Sequence, residues 1–303
     1  MGKRKLGDRR DGRWLKEEDG LHTIMPYLYP NRTDNEAFIQ ETIDLEQINK
    51  YIEKKNNELK EKVEKGELPK EALDDPYKMF QVILSMLVKT FTLRPKMNRF
   101  IQGKKLFSRN VLSFGFVVKK KFQDNGEEGL AYKEFGPEST MDSVHEEIVK
   151  EINHCKDENV KDHSSDLLDK WSKMPPFIMR FVFAIIRRLD YFGLVPYSLI
   201  KTDPNYATCW ITNLGSIGLK SGYHHLYNWG TTSCFVIIGE KKKKIIYDES
   251  GKAIEKETLD IGLTVDERIA DGYYFSQTVK LFKTLANNPE LLDERADKEV
   301  EIC

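Results

Sequence analysis

The sequence has no surplus of charge of either sign. Its 303 residues carry 48 Lys and Arg against 49 Asp and Glu, a net charge of -1. Nucleic-acid binding draws on a basic surplus, so the balance argues against that partner class. Cysteine is sparse: Cys155, Cys209, Cys234 and Cys303 are far apart and form no Cys-x-x-Cys pair. They read as reduced thiols of a cytoplasmic protein, not as a disulfide framework or a zinc site. No apolar run opens the chain. Met1-Gly2-Lys3-Arg4-Lys5-Leu6 leads into further charge, so no signal peptide is expected, and Leu6 stands where a myristoylation motif needs Ser or Thr. Also missing are a P-loop, GxGxxG, GxSxG and the HExxH spacing that would point to a bound metal.

Long hydrophobic runs are lacking too, with one segment to weigh. Residues 175–200 read PPFIMRFVFAIIRRLDYFGLVPYSLI. A spanning helix needs roughly 20 mostly apolar residues, and each central Arg or Asp costs about 2.5–3.5 kcal/mol on insertion. Arg180, Arg187, Arg188 and Asp190 therefore exclude a span. A core helix followed by an extended stretch is the expectation. The alternative is a helix lying on a membrane surface, in contact through residues 175–200.

What is present is ample apolar content, 40% of residues, enough for a packed core. Residues 1–20 are charged and Gly-containing and predict a flexible N-terminal arm, and residues 293–303 a charged tail. Between them, 21–292 reads as one domain with no internal repeat and no linker. EAFIQETI at 36–43 predicts a strand, and Asp44 opens a helix to about Lys65. Asp75-Pro76 has the composition of a helix start, with Asp as cap and Pro at the first position, for a helix that stops before Pro95. Strands are expected at 105–107 and 112–119, joined by a turn at Arg109-Asn110, then at 129–135. A helix at 140–155 follows, then a strand at 207–212. Segments 232–239, 244–247 and 257–265 predict a three-stranded meander with its turn at Asp248-Glu249-Ser250-Gly251, and 274–287 a closing helix. The fold class is α/β: an α+β sandwich with a mixed sheet and covering helices.

Three phrases, in order, carry a resemblance: PKMNRFIQGKKLFSRNVLSFGFVVKK from Pro95, WITNLGSIGL from Trp210 and TVDERIADGYYFSQTVKLF from Thr264. They resemble the catalytic domain of the dihydrolipoamide acyltransferases (the 2-oxoacid dehydrogenase acyltransferases) and, in its stand-alone form, chloramphenicol acetyltransferase. The second is similar to that superfamily's "TISNLGxxG", the third to its "SxDHRVIDG". Asp266, Arg268, Asp271 and Gly272 match; Glu267 stands on the catalytic histidine. No lipoyl or subunit-binding segment is recognisable. The resemblance implies a homotrimer with sites at subunit interfaces. There CoA or acyl-CoA exchanges an acyl group with a small-molecule thiol or hydroxyl acceptor, with no metal.

Such a reaction needs a base for the acceptor proton and a donor for the tetrahedral oxyanion. Glu267 replaces the base. An ordinary glutamate, with a pKa of about 4.3, is weak in that role, burial would strengthen it, and contact with Arg268 would weaken it. The alternative is a catalytically inactive member that serves as a trimeric ligand-binding or scaffold protein. Thr212 falls on the oxyanion-donating serine and keeps its hydroxyl; it also suits an ordinary strand. Asp271 would fix the turn into the last helix, with Gly272 allowing close approach. His225, of the pair His224-His225, is a candidate alternative base or else a histidine on an aromatic strand edge.

Overall fold

The computed structural model describes residues 4–119, 128–156, 171–247 and 250–302. Its centre is a six-stranded mixed sheet of β2 (Glu36–Asp44), β5 (Leu112–Lys119), β6 (Glu128–Phe135), β7 (Cys209–Asn213), β8 (Cys234–Tyr247) and β9 (Ala253–Asp266), in the order β2-β9-β8-β7-β5-β6. β7 runs parallel to both its neighbours and the other pairs are antiparallel. A second, three-stranded sheet has the order β1-β4-β3, from β1 (Gly12–Trp14), β3 (Arg99–Gln102) and β4 (Lys105–Arg109). The α/β fold class is as expected, with this small sheet in addition.

Strand side chains alternate between faces, and the two faces of the large sheet differ. Cys209, Ile211, Val236, Ile238, Ile261 and Val265 point into the main core. Helices α2 (Glu46–Glu64), α3 (Met79–Leu93), α4 (Met141–Lys156) and α7 (Gly272–Asn287) cover that face. α3 is buried from Gln81 to Phe91, as its nearly continuous apolar sequence requires. Over β7, β8 and β9 the other face is covered, among the described residues, by irregular chain. Trp210, Phe235 and Ile237 form a smaller cluster with Leu226. The segment around 221–228 lies flat on it because β8 and β9 present glycines there. A Cβ on Gly262 would sit 1.9 Å from the Gly222 oxygen, and one on Gly239 would sit 2.4 Å from the Ser221 nitrogen.

Several expectations need correction. Residues 1–20 are not a free arm over their described part. Arg9 is buried and ion-paired to Asp11 at 2.8 Å and Asp190 at 2.7 Å, and β1 pairs with β4. Helix α1 (Gly20–Leu28) starts on Asp19, whose carboxylate accepts from the His22 N–H. The tail also packs: the Ala296 N–H reaches the Ser139 carbonyl, and buried Lys89 donates to the Arg295 carbonyl at 2.8 Å. α3 begins at Met79, not at Asp75-Pro76, because Asn56 bonds the Tyr77 backbone through both its amide nitrogen and its oxygen and holds it out of the helix. β4 and β5 are not paired. β4 forms a hairpin with β3 around Gly103 and Lys104, both at positive φ, and β5 enters the large sheet. The meander is one long hairpin, β8 and β9, bulged between Ile238 and Lys241; residues 248 and 249 of its expected turn lie outside the described residues. Lysines 241–244 are paired along it, Lys242 with Asp260 at 2.8 Å and Lys243 with Glu255 at 2.6 Å.

Segment 175–200 is the largest departure. It forms α5 (Pro176–Tyr191) and a short α6 (Tyr197–Thr202). Instead of entering the core, α5 lies on the surface, with Phe177, Phe181 and Phe192 exposed.

Candidate active site

The candidate residues lie at one end of the large sheet and partway along it. At one end, β9 runs into the turn 266–272. Asp266, Arg268, Ile269 and Ala270 are buried within it; Glu267 and Asp271 face out. The cause is a buried ion cluster. Asp266 takes a two-pronged contact from Arg268, Nε to Oδ1 at 2.8 Å and Nη2 to Oδ2 at 2.7 Å. The remaining Arg268 nitrogen donates to the Tyr29 carbonyl at 2.8 Å. Arg32 approaches the same carboxylate at 3.7 Å and donates to the Ile101 carbonyl at 3.0 Å. Burial, with Arg268 close by, pushes the Arg32 guanidinium down to about 10, still charged at neutral pH. With both inward positions occupied by this cluster, Glu267 must turn outward. Its N–H is held by the Asn35 carbonyl at 2.9 Å, while its carboxylate has no hydrogen-bond or ion-pair partner among the described residues. The neighbouring Arg268 does not reach it.

Asp271 caps α7: its carboxylate accepts from the Tyr274 N–H at 2.8 Å, and that bond holds its pKa below the usual carboxylate range. Gly272 has nothing within 4 Å of a built Cβ, so close approach is not its role there. The half-buried Tyr274 hydroxyl accepts from the Lys96 N–H at 3.0 Å, and Arg94 lies over its ring at 3.8 Å. These contacts join the turn to the end of α3.

The 221–228 segment reaches the same corner. The Leu226 N–H donates to the Glu36 carboxylate, and Glu36 is opposite Asp266 in the β2–β9 pairing. His225 is exposed there, its Nδ1 at 3.0 Å from the Leu226 carbonyl. Nδ1 is therefore the protonated nitrogen, and Nε2 is left as the acceptor. His224 stacks on Phe235 at 4.2 Å, with Nδ1 2.7 Å from the His225 carbonyl.

Thr212 is elsewhere. It is half-buried near the end of β7, on the outer face with Trp210, and is level with Ile237 and Gly262. Asn213 follows it, and its side chain accepts from the Ser216 N–H. Gly215 sits where a Cβ would meet the Gly239 oxygen at 2.3 Å, which fixes the Asn-Leu-Gly loop against β8. From the level of Thr212, Glu267 is two strands across and five residues along β9. At about 3.3 Å per residue and 4.8 Å per strand that is roughly 19 Å. Within one chain the two side chains cannot act on one reacting atom.

The sequence matches Asp266 and Arg268 to the family motif, with Arg268 considered only as a partner of Glu267 and not of Asp266, and it gives no sign of Arg32. The Asp-x-Arg spacing on a strand end was the signal available for the first pair, since residues two apart share a face. Arg32 is remote in sequence and carried no such signal.

The mixed sheet, the helices on its core face and the turn after β9 make up a fold that known acyltransferase structures share. The family model of the 2-oxoacid dehydrogenases acyltransferase (catalytic domain) matches residues 198–293, which span Thr212, Glu267 and Asp271. The fold is similar to that of a probable dihydrolipoamide acetyltransferase from Listeria monocytogenes (10% identity over 90% of this chain and 94% of that one, TM-score 0.57). It is similar to dihydrolipoamide acetyltransferase from Azotobacter vinelandii (11% identity, 92% and 94% covered, TM-score 0.57). It is similar also to a chloramphenicol acetyltransferase (11% identity, 91% and 99% covered, TM-score 0.51). No curated protein matched the sequence. The chain has the acyltransferase catalytic-domain fold.

Proposed function

We propose that this protein is a CoA-dependent acyltransferase that works as a trimer. Glu267 of one copy would be the general base, and Thr212 of the next would be the hydroxyl that donates to the oxyanion. The observation that carries this reading is the Glu267 carboxylate, outward and without a hydrogen-bond or ion-pair partner among the described residues, between an Asp266 and an Arg268 that are locked inside. A group kept free of ion pairs while its frame is rigid suits proton transfer to an incoming acceptor. The separation of Thr212 from Glu267 in one chain supports a site completed by a neighbour, since a cyclic oligomer with a heterologous interface brings different surfaces of two copies together. Closing the site with a second copy and substrate would also exclude water around the carboxylate. In the acyl step, the acceptor thiol or hydroxyl would lose its proton to Glu267 and attack the thioester carbonyl. The tetrahedral oxyanion would accept from Thr212, and CoA thiolate would leave and be reprotonated.

The test is release of CoA thiol from acetyl-CoA in the presence of dihydrolipoamide or another small thiol or hydroxyl acceptor. Glu267→Gln is expected to lower kcat by about 10²–10⁴-fold with an unchanged thermal transition, because the side chain supports no contact. Equal rates for the two proteins would remove Glu267 as the base. A Glu267→His protein much faster than the natural one would make the natural protein a disabled member. His225 is the second candidate base, and loss of activity in His225→Gln but not in Glu267→Gln would move the role to it.

A further inference from the structure

We propose that α5 and the turn after it dock the protein on an anionic lipid surface. The helix has two apolar sides. Its inward side is satisfied: Ile186 and Leu189 pack with Val195, Ile200 and Tyr206, and Phe183 stands edge-on to Trp171 at 5.2 Å and to Trp229 at 5.3 Å. Its outward side is not. Phe177, Phe181, Phe192 and Leu194 are 72%, 69%, 57% and 56% exposed, and Ile185 adds a further exposed apolar group. Phe177, Phe181, Ile185, Arg188 and Phe192 fall on successive turns of one stripe.

Charge decides what this stripe meets. The only acid between residues 171 and 202 is Asp190, and it is turned inward, 5% exposed, held by Arg9 at 2.7 Å and Gln102 at 2.5 Å. The outward surface of that stretch therefore carries Lys173, Arg180, Arg187, Arg188 and Lys201 and no carboxylate. Arg180 and Arg187 lie two turns apart on one flank of the stripe, without an acidic partner among the described residues. Setting the stripe against the same stripe of a second copy, as a two-fold contact would, brings like charges together, and the ring interface of the proposed trimer does not set the stripe against itself. A bilayer with anionic headgroups accepts both the aromatic side chains and the guanidinium groups. The helix is about 24 Å long at 1.5 Å per residue, and no described helix is long and apolar enough to cross a membrane. The contact is therefore in the plane of the surface. The Arg9–Asp190 pair fastens the helix to the segment leading into β1, and Gln102 of β3 binds the same carboxylate, so the body of the domain would be carried with it.

Flotation of the full chain with phosphatidylcholine vesicles, with and without phosphatidylglycerol, tests this. Binding is expected only with phosphatidylglycerol and should weaken as salt rises. Replacing Arg180 and Arg187 by Gln should weaken partition about fivefold per arginine, and the pair Phe177→Ser with Phe181→Ser should abolish it. All four side chains are outward, so circular dichroism and the thermal transition should stay as in the natural protein. No flotation with anionic vesicles, equal flotation with neutral ones, or undiminished binding by either variant pair would overturn the proposal. So would a fall in oligomeric mass caused by the Phe177 and Phe181 changes, which would make the stripe a contact between copies.

Discussion

At the scale of single residues, the turn 266–272 separates scaffold from chemistry within a few side chains. Asp266 and Arg268 are fully buried and bind each other, and Arg32 shares the same carboxylate. Removing the negative charge would leave two guanidinium groups buried with carbonyl acceptors only. Asp266→Asn is therefore expected to cost about 3–5 kcal/mol, measured as a fall in the urea midpoint. A loss under about 1 kcal/mol would show the cluster to be solvated or readily rearranged. This division also explains what could be read in advance. The motif frame around Glu267 was legible, because Asp266, Arg268, Asp271 and Gly272 each match in place. The direction of Glu267 was not, since it depends on Arg32 and Tyr29, more than 200 residues away, filling the space behind the turn. His225 was visible as half of a histidine pair, but its position at the Glu36–Asp266 corner comes from the path of 221–228 across the sheet, which no local pattern encodes.

At the scale of elements, most helices and strands follow from periodicity and capping, and the exceptions have physical causes. The Asp75-Pro76 start failed because tertiary hydrogen bonds from Asn56 outcompeted the local cap. The stretch 175–200 was read inward because an apolar helix normally is; α5 shows an inward stripe and an outward one, and composition alone cannot tell one apolar stripe from two. The β8–β9 hairpin illustrates how charge is used along an element. Asp260 lies between β2 and β8, accepting from Thr42 at 2.6 Å and Lys242 at 2.8 Å, with Lys244 at 3.4 Å. Burial by itself would raise the Asp260 pKa, but these partners together bring it down to about 2. A carboxylate held below its unfolded value stabilises the fold fully above pH of about 4 and loses that contribution as pH falls toward about 2. The natural protein should lose at most about 2 kcal/mol more over that interval than Asp260→Asn, measured by urea unfolding at stepped pH. Parallel curves for the two proteins would remove this clamp as a source of acid sensitivity.

At the scale of the whole molecule, the roughly 19 Å between Thr212 and Glu267 makes assembly a condition of chemistry under the proposed function. Two inactive chains can report on this. Glu267→Gln and Thr212→Val proteins, unfolded together and refolded as mixed oligomers, should regain about a quarter of the natural activity, because about one interface in four then joins an intact Glu267 to an intact Thr212. A mixture as inactive as its components would place both groups of each site on one chain and overturn the shared-site reading. The order of the large sheet has a consequence in time as well as in space. β2 is among the first strands to leave the ribosome, yet its partner is β9, so that Thr42 and Asp260, 218 residues apart, meet only near the end of synthesis. Throughout translation β2 has an open edge, and until β9 arrives β8 has one too. Closure by such distant pairing is slow, and open strand edges invite pairing with other chains. For much of its synthesis the nascent chain therefore exposes unpaired strand edges, and its last hundred residues carry both the strand that joins β2 to β8 and the turn that bears Glu267.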